Sequence, residues 1–178
     1  MINFNKRSQI WIETAIYTVI GLTIIAILLA VVTPQIEKTK DAGIVRQTIN
    51  AINILDNKIS EIEQAGGNIR IIDFKISKGR LEIDSVNDSI KYYLENTGLE
   101  LTQTGQNIKD GNLYIRTEKI GSKFKIFITR YYNNMNITSD NKEEARVLQA
   151  AATPYRIQIE NVGDNELNQK THIDFGVL

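Results

Sequence analysis

Cysteine is absent from the 178 residues. Its absence excludes thiol catalysis, cysteine-based zinc sites and disulfides, so an exported part of this chain is held by packing and backbone pairing alone. The lone histidine, His172, has no second His or Cys with which to share a metal, and reads as a core or surface residue. Neither sign of charge is in surplus. Twenty-one basic residues face 21 acidic ones, which argues against neutralising phosphates as the main purpose and indicates no specific nucleic-acid partner. Phosphate-binding loops, dinucleotide fingerprints and nucleophile motifs are missing too. Asp73, Asp84 and Asp88 could be paired by folding, but no spacing singles out two of them. The reading is therefore of a protein that is not an enzyme, with no catalytic residue, no metal and no cofactor.

One apolar run is present, over residues 10–36, and no second run of comparable length follows it. Glu13 stands near its start, Pro34 near its end, and nothing from Thr14 to Ile36 is formally charged. Roughly 23 helical residues rising ~1.5 Å each reach about 35 Å, enough to cross a ~30 Å hydrocarbon core. Lys6 and Arg7 precede the run, which by the positive-inside rule puts the N-terminus in the cytoplasm and the remainder outside. Small residues at 26–30 make a poor signal-peptidase site.

Past Pro34 the pattern becomes amphipathic. Val45, Ile49, Ile52, Leu55, Ile59 and Ile62 recur at spacings of three and four, with Lys40, Asp41, Arg46, Asp56, Lys58, Glu61 and Glu63 among them. Gly66-Gly67 supplies a stop. Residues 9–66 are thus expected to form one helix in two halves, 9–36 apolar and 37–66 amphipathic. Pro34 at the joint is expected to bend it.

Short strand-like segments separated by turn signals fill residues 67–178. Residues 69–76 and 81–86 flank Ser77-Lys78-Gly79-Arg80 as a hairpin candidate; 113–119 and 124–132 flank Ile120-Gly121-Ser122-Lys123 as a stronger one. Asp110-Gly111 and residues 161–164 mark further turns, 155–160 and 172–177 are late strands, and 89–95 fits either a short helix or a strand. The expected fold is α+β: a long N-terminal hydrophobic helix, then a small antiparallel β-sandwich-like head with 45–62 packed on one of its faces.

The segment KRS-QIWIE, with the apolar run behind it, resembles the precursors of the type IV pilin superfamily, in which a prepilin peptidase cuts between a basic leader and the hydrophobic helix. The bacterial form favours Gly before the cut and Phe after it; Gln9 followed four residues later by Glu13 is more similar to archaeal precursors of the Q-x-x-x-E kind. The resemblance covers residues 6–41, with a fainter likeness at Ala151-Ala152-Thr153-Pro154-Tyr155. It implies a leader over residues 1–8, with Lys6 and Arg7 as its basic pair, cleaved between Ser8 and Gln9. Glu13 then becomes the fifth residue of the mature chain. The implied product is a subunit of an archaeal cell-surface filament, inserted in the membrane as a precursor. Its partners would be copies of itself, the prepilin peptidase, and a membrane assembly platform with an ATPase. The alternatives are a single-pass anchored extracellular binding domain and a minor pilin-like component of a secretion or uptake machine.

Single residues keep a plain reading beside the functional one. Glu13 is either an assembly residue or an acid snorkelling near the start of a membrane helix. Gly21 is either a close-packing point or one of the glycines common in membrane helices, and Pro34 either a useful kink or an incidental one. Asn87 and Asn136 open glycosylation sequons, a number that the asparagine content alone would produce. Tyr92, Tyr93, Tyr131 and Tyr132 divide between core packing and an adhesive patch.

Overall fold

The computed structural model describes residues 6–164 and 170–178: a long helix followed by ten strands. Helix α1 runs Lys6–Glu63, 58 residues with Pro34 inside it. Two compact units divide the chain, Met1–Thr39 and Lys40–Leu178, so α1 contributes to both. Of the expected leader, residues 1–5 lie outside the described residues.

The helix stops three residues earlier than the glycines predict. Ala65 donates its N–H to the Ile62 carbonyl (3.3 Å), and Gly67, at φ +82°, donates to the Asn161 carbonyl (2.7 Å). Asn161 also reaches back, its Nδ2 donating to the carbonyls of Ile62 (2.8 Å) and Glu63 (3.2 Å), two acceptors that a helix end leaves open.

Strands β1 (Ile69–Phe74), β2 (Arg80–Asp84), β3 (Ser89–Thr97), β4 (Asn107–Asp110), β5 (Leu113–Ile120), β6 (Lys123–Tyr131), β7 (Met135–Ser139), β8 (Arg146–Gln149), β9 (Tyr155–Asp164) and β10 (Thr171–Val177) form two sheets. One has the order β1-β9-β10-β7, the other β4-β5-β6-β3-β2-β8. Pairing is antiparallel except between β10 and β7, which run parallel. The fold is α+β as expected, with that one departure from an all-antiparallel head.

Several sequence expectations are corrected. Residues 69–86 are not a hairpin: β1 pairs with β9 in the four-stranded sheet, and β2 pairs with β3 and β8 in the other. The segment between them crosses from sheet to sheet, and the return crossing, residues 150–154, lies beside it. Ala150 donates to Gly79 O and Ala151 to Ile76 O, both at 3.1 Å, and Lys75 Nζ reaches Ala151 O at 2.8 Å. Residues 161–164 are not a turn but the end of β9. The register slips between His172 and Ile173 so that Val162 is bulged, and Gly163 takes φ +113°. Residues 89–95 are strand, and β4, β7 and β8 went unforeseen. The β5–β6 hairpin forms as expected, with Leu113 opposite Arg130 and Ile120 opposite Lys123.

In the Lys40–Leu178 unit one core collects side chains from both sheets and from the helix: Val45, Ile52, Leu55, Ile59 and Ile62 are buried with residues such as Tyr92, Ile128 and Phe175. Asp41 and Asp56, two of the charged residues set among this stripe, are buried too. Asp41 accepts from Lys78 Nζ (2.6 Å) and Thr97 Oγ1 (2.5 Å); Asp56 accepts from Arg130 Nε (2.8 Å) and Asn112 Nδ2 (3.1 Å). The pair of Glu61 with Lys58, by contrast, is exposed.

Burying an Ile or Leu fully is worth about 1.5–3 kcal/mol, so five of comparable size supply a large share of a domain's total of about 5–15 kcal/mol. A chain starting at Lys40 is expected to stay soluble without detergent and to unfold in one cooperative step. A chain starting at Asn68 is expected to lose that transition. Denaturant unfolding followed by circular dichroism checks both, and equal midpoints would mean that the helix adds nothing to this core.

Candidate anchoring and assembly segment

Within the first unit α1 is apolar on every side. Trp11, Ile12, Ile16, Ile20, Ile24, Leu28 and Val32 are all exposed, and none of the most apolar window is buried. Among the described residues this is the one helix long and apolar enough to cross a membrane. Its threonine hydroxyls are satisfied within the helix. Thr14, Thr18, Thr23, Thr33 and Thr39 each donate a hydroxyl proton to the carbonyl four residues back, at 2.7–3.0 Å. Such back-bonding removes the demand for an outside partner.

The residues singled out from sequence fall along this segment without converging. Glu13 is the sole charged side chain between Ile10 and Ile36 and stands in the first exposed turns. Beyond its own stretch of helix, Gly21 has no atom of the described residues within 4 Å of where a Cβ would sit. Pro34 does not break α1: the helix continues on both sides, although the ring removes one backbone N–H. The Ser8–Gln9 bond lies inside the helix, two residues from its start at Lys6, as does Arg7. Any protease acting there must first fray the opening turn, the part of a helix that frays most easily.

The other candidates lie in the Lys40–Leu178 unit. Asn87 is exposed, with Nδ2 donating to Asp84 (2.7 Å); Asn136 is half-buried. The hydroxyl-bearing residues of both sequons, Ser89 and Thr138, are buried, so a glycan at either site would have to be added before its strand forms. Thr138 Oγ1 donates to Asp174 (2.5 Å) and lies 2.8 Å from His172 Nε2, which gives the lone histidine a structural partner. Asp73, Asp84 and Asp88 do not act as a dyad. Asp73 faces Arg156 at 3.7 Å, Asp84 pairs with Lys91, and Asp88 pairs with Lys170 at 2.9 Å. Burial works to raise the Asp84 pKa, but hydrogen bonds from Lys91 and Asn87 outweigh it and hold the carboxyl below its usual range. Tyr92 and Tyr132 are core residues, whereas Tyr93 and Tyr131 stand on the outer side of the six-stranded sheet. Among the described residues no group of three His, Cys, Asp or Glu is placed to hold a metal.

Fourteen Ile, Leu and Val side chains lie between Ile10 and Ile36. At about 0.3–0.6 kcal/mol each they favour insertion by roughly 4–8 kcal/mol. One lysine at a helix centre costs about 2.5–3.5 kcal/mol. Ile24→Lys alone is therefore expected to remain in the membrane fraction after alkaline extraction, and Ile24→Lys combined with Leu28→Lys to leave it. Retention of the double variant would mean that this segment is not what holds the protein to the membrane.

A scan against protein-family models, a search of curated proteins and a search of solved structures each returned no match, so the activity of this chain has to be inferred from its own residues.

Proposed function

We propose that this chain is a structural subunit of an archaeal type IV pilus-like filament, made as a membrane precursor and assembled at the cell surface through its N-terminal helix. The observation that carries this reading is a helix that is apolar all round over residues 10–36, with its large apolar side chains exposed, preceded by Lys6 and Arg7. That much apolar surface demands a second environment, and at about 25 cal/mol per Å² its burial among other helices is enough to hold a polymer together. The basic leader and the Gln9-to-Glu13 spacing favour a filament over a plain anchor. In this reading the prepilin peptidase opens the Ser8–Gln9 bond, and a membrane platform with its ATPase lifts the subunit from the bilayer.

Glu13 supplies the specificity. A carboxylate among packed helices meets little water and needs a cation or a proton. The α-amine freed at Gln9 of a neighbouring subunit would provide the cation and fix the axial offset between helices. Gly21 would allow close approach, and Pro34 local adjustment of the helix. The competing reading, a single-pass anchored domain that never polymerises, is favoured by the same uncovered helix, which is long enough to span a bilayer.

Two measurements separate the readings. The N-terminal peptide of surface-exposed protein is expected to begin at Gln9; one beginning at Met1, or after Ala30, would sink the filament proposal. Glu13→Gln keeps the side chain's size and removes its charge. It is expected to leave membrane level and leader cleavage unchanged and to abolish most filaments, scored by electron microscopy and by shear-released protein. Normal filament numbers with unchanged subunit rise would reduce Glu13 to an interfacial acid.

A further inference from the structure

The outer faces of the two sheets differ in charge. On the six-stranded sheet the strand alternation turns Arg80, Lys91, Lys109, Arg116, Lys123 and Lys125 outward against Glu82, Asp84, Glu95 and Glu118, a surplus of cations. Arg80 and Lys125 share one carboxylate, that of Glu95 (2.8 and 2.9 Å). Among the described residues Lys109 is in no ion pair and lies 5.8 Å from the centre of the Tyr114 ring. Two aromatic pairs stand among these charges: Tyr93 meets Phe127 and Tyr114 meets Tyr131 edge to face, with centroids 5.5 and 5.6 Å apart. Tyr114 and Tyr131 stay 39% and 41% exposed, and a depression of about 390 Å³ runs over all four rings. Tyrosine and arginine side by side are what the centre of a protein–protein contact is enriched in.

On the four-stranded sheet the outward residues of β1 are Ile69, Ile71 and Asp73, set opposite Glu160, Gln158 and Arg156 of β9. Ile69 is 44% and Ile71 55% exposed, an aliphatic pair on an edge strand. Asp73 is answered by Arg156 at 3.7 Å. Glu160 has no such partner. It stands directly opposite a second acid, Asp174 of β10, and among the described residues their hydrogen-bond donors are neutral: the Gln158 amide for Glu160, the Thr138 hydroxyl and the Asn141 N–H for Asp174. Like charges directly opposite one another are destabilising, so a cation brought from outside would be stabilising here.

We infer that the outer face of the six-stranded sheet of one copy docks on the outer face of the four-stranded sheet of the next, with Ile69 and Ile71 against the exposed tyrosines and the surplus cations toward Glu160. The occupant is a second copy because the acid pair and the aliphatic pair that suit the basic, aromatic face are carried by this same chain. They cannot meet that face within one chain: the two sheets enclose a common core, so their outer faces point away from each other. Joined between copies they make a heterologous contact, the kind that passes from copy to copy instead of closing on a pair. Sheets packed face to face lie about 10 Å apart, within reach of side chains of these lengths. The inference rests on the filament reading, to which it adds a contact between heads.

The chain has no cysteine, so thiols can be placed at will. Full-length Lys109→Cys, Ile71→Cys and the two combined are produced in cells that export the protein, and surface protein is treated with a short bismaleimide. The combined variant is expected to give a ladder of dimers, trimers and larger species on a denaturing gel, and each single variant to stay monomeric. Dimers from a single variant would mean that like faces meet, which overturns the inference. Filaments seen by electron microscopy without a ladder overturn it too, and leave the filament reading standing. A ladder without filaments supports the head contact and sinks the filament reading; the absence of both sinks both. As a second readout, Lys109→Glu and Glu160→Lys are each expected to lower shear-released protein at least threefold while melting with the parent chain. Undiminished release from both overturns the pairing of these faces.

Discussion

Asp41 and Asp56 lie about four helical turns apart on the face of α1 that completes the core, and each is buried against a cation and a neutral donor. The apolar stripe between them, Val45 through Ile62, has a period that would tolerate sliding by one turn, since Ile and Leu would meet Ile and Leu again. The carboxylates would not tolerate it. A shift of ~5.4 Å would remove Lys78 and Thr97 from one and Arg130 and Asn112 from the other, leaving two charges buried without partners, a state that costs about 3–5 kcal/mol for each broken pair. Hydrophobic burial gives this helical stretch its affinity for the sheets, and the two acids give it one register. The Asn161 amide on the last helical carbonyls fixes the same register from the other end.

Much of this was legible, and what was not failed for identifiable reasons. The apolar run and the stripe are long periodic signals, and the β5–β6 hairpin is marked by two alternating strands around a tight turn. Asp41 and Thr48 fall in phase with Val45, Ile52, Leu55, Ile59 and Ile62, and Asp56 stands next to that line. The periodicity therefore already placed Asp41 on the packed face. The false hairpin at 69–86 arose because Ser77-Lys78-Gly79-Arg80 signals a reversal without saying which sheet receives the next strand. Phe74, Ile76, Leu81 and Ile83 are buried whichever sheet they join. Residues 161–164 look like a turn by composition, yet Asn161 is spent on capping the helix and Gly163 on a bulge. Partners far away in sequence decided both cases.

The functional segment was legible in a different sense. The sequence alone gives an apolar helix with one acid, and the folded chain adds that among the described residues nothing beyond its own stretch of helix approaches Gly21 and that the threonine hydroxyls are satisfied within the helix. What Glu13, Gly21 and Pro34 do together depends on neighbours outside the chain. The aromatic pairs on the outer side of the six-stranded sheet were less legible still, because Tyr93, Tyr114, Phe127 and Tyr131 come from three strands and acquire a common face only through register.

A subunit that assembles as proposed would need the same helix to be stable in a bilayer and in a bundle of copies, and the chemistry of residues 10–36 would make the passage between them cheap. Lipid tails are as apolar as leucine, so exchanging lipid for helix neighbours brings little hydrophobic gain and leaves packing and polar contacts to decide. The internally bonded threonines present no donor that must find a new partner in either setting. Glu13 is the exception. In a precursor it stands close enough to the helix start to reach hydrated headgroups, whereas inside a bundle that route closes and the carboxylate must meet a cation or take up a proton. On the proposed reading, transfer from bilayer to bundle would depend on helix packing and on Glu13, and the α-amine of Gln9 would become available to that carboxylate once the bond before it is opened. In the same reading, cleavage would do more than remove a leader: it would supply a cation that Glu13 could meet inside a bundle.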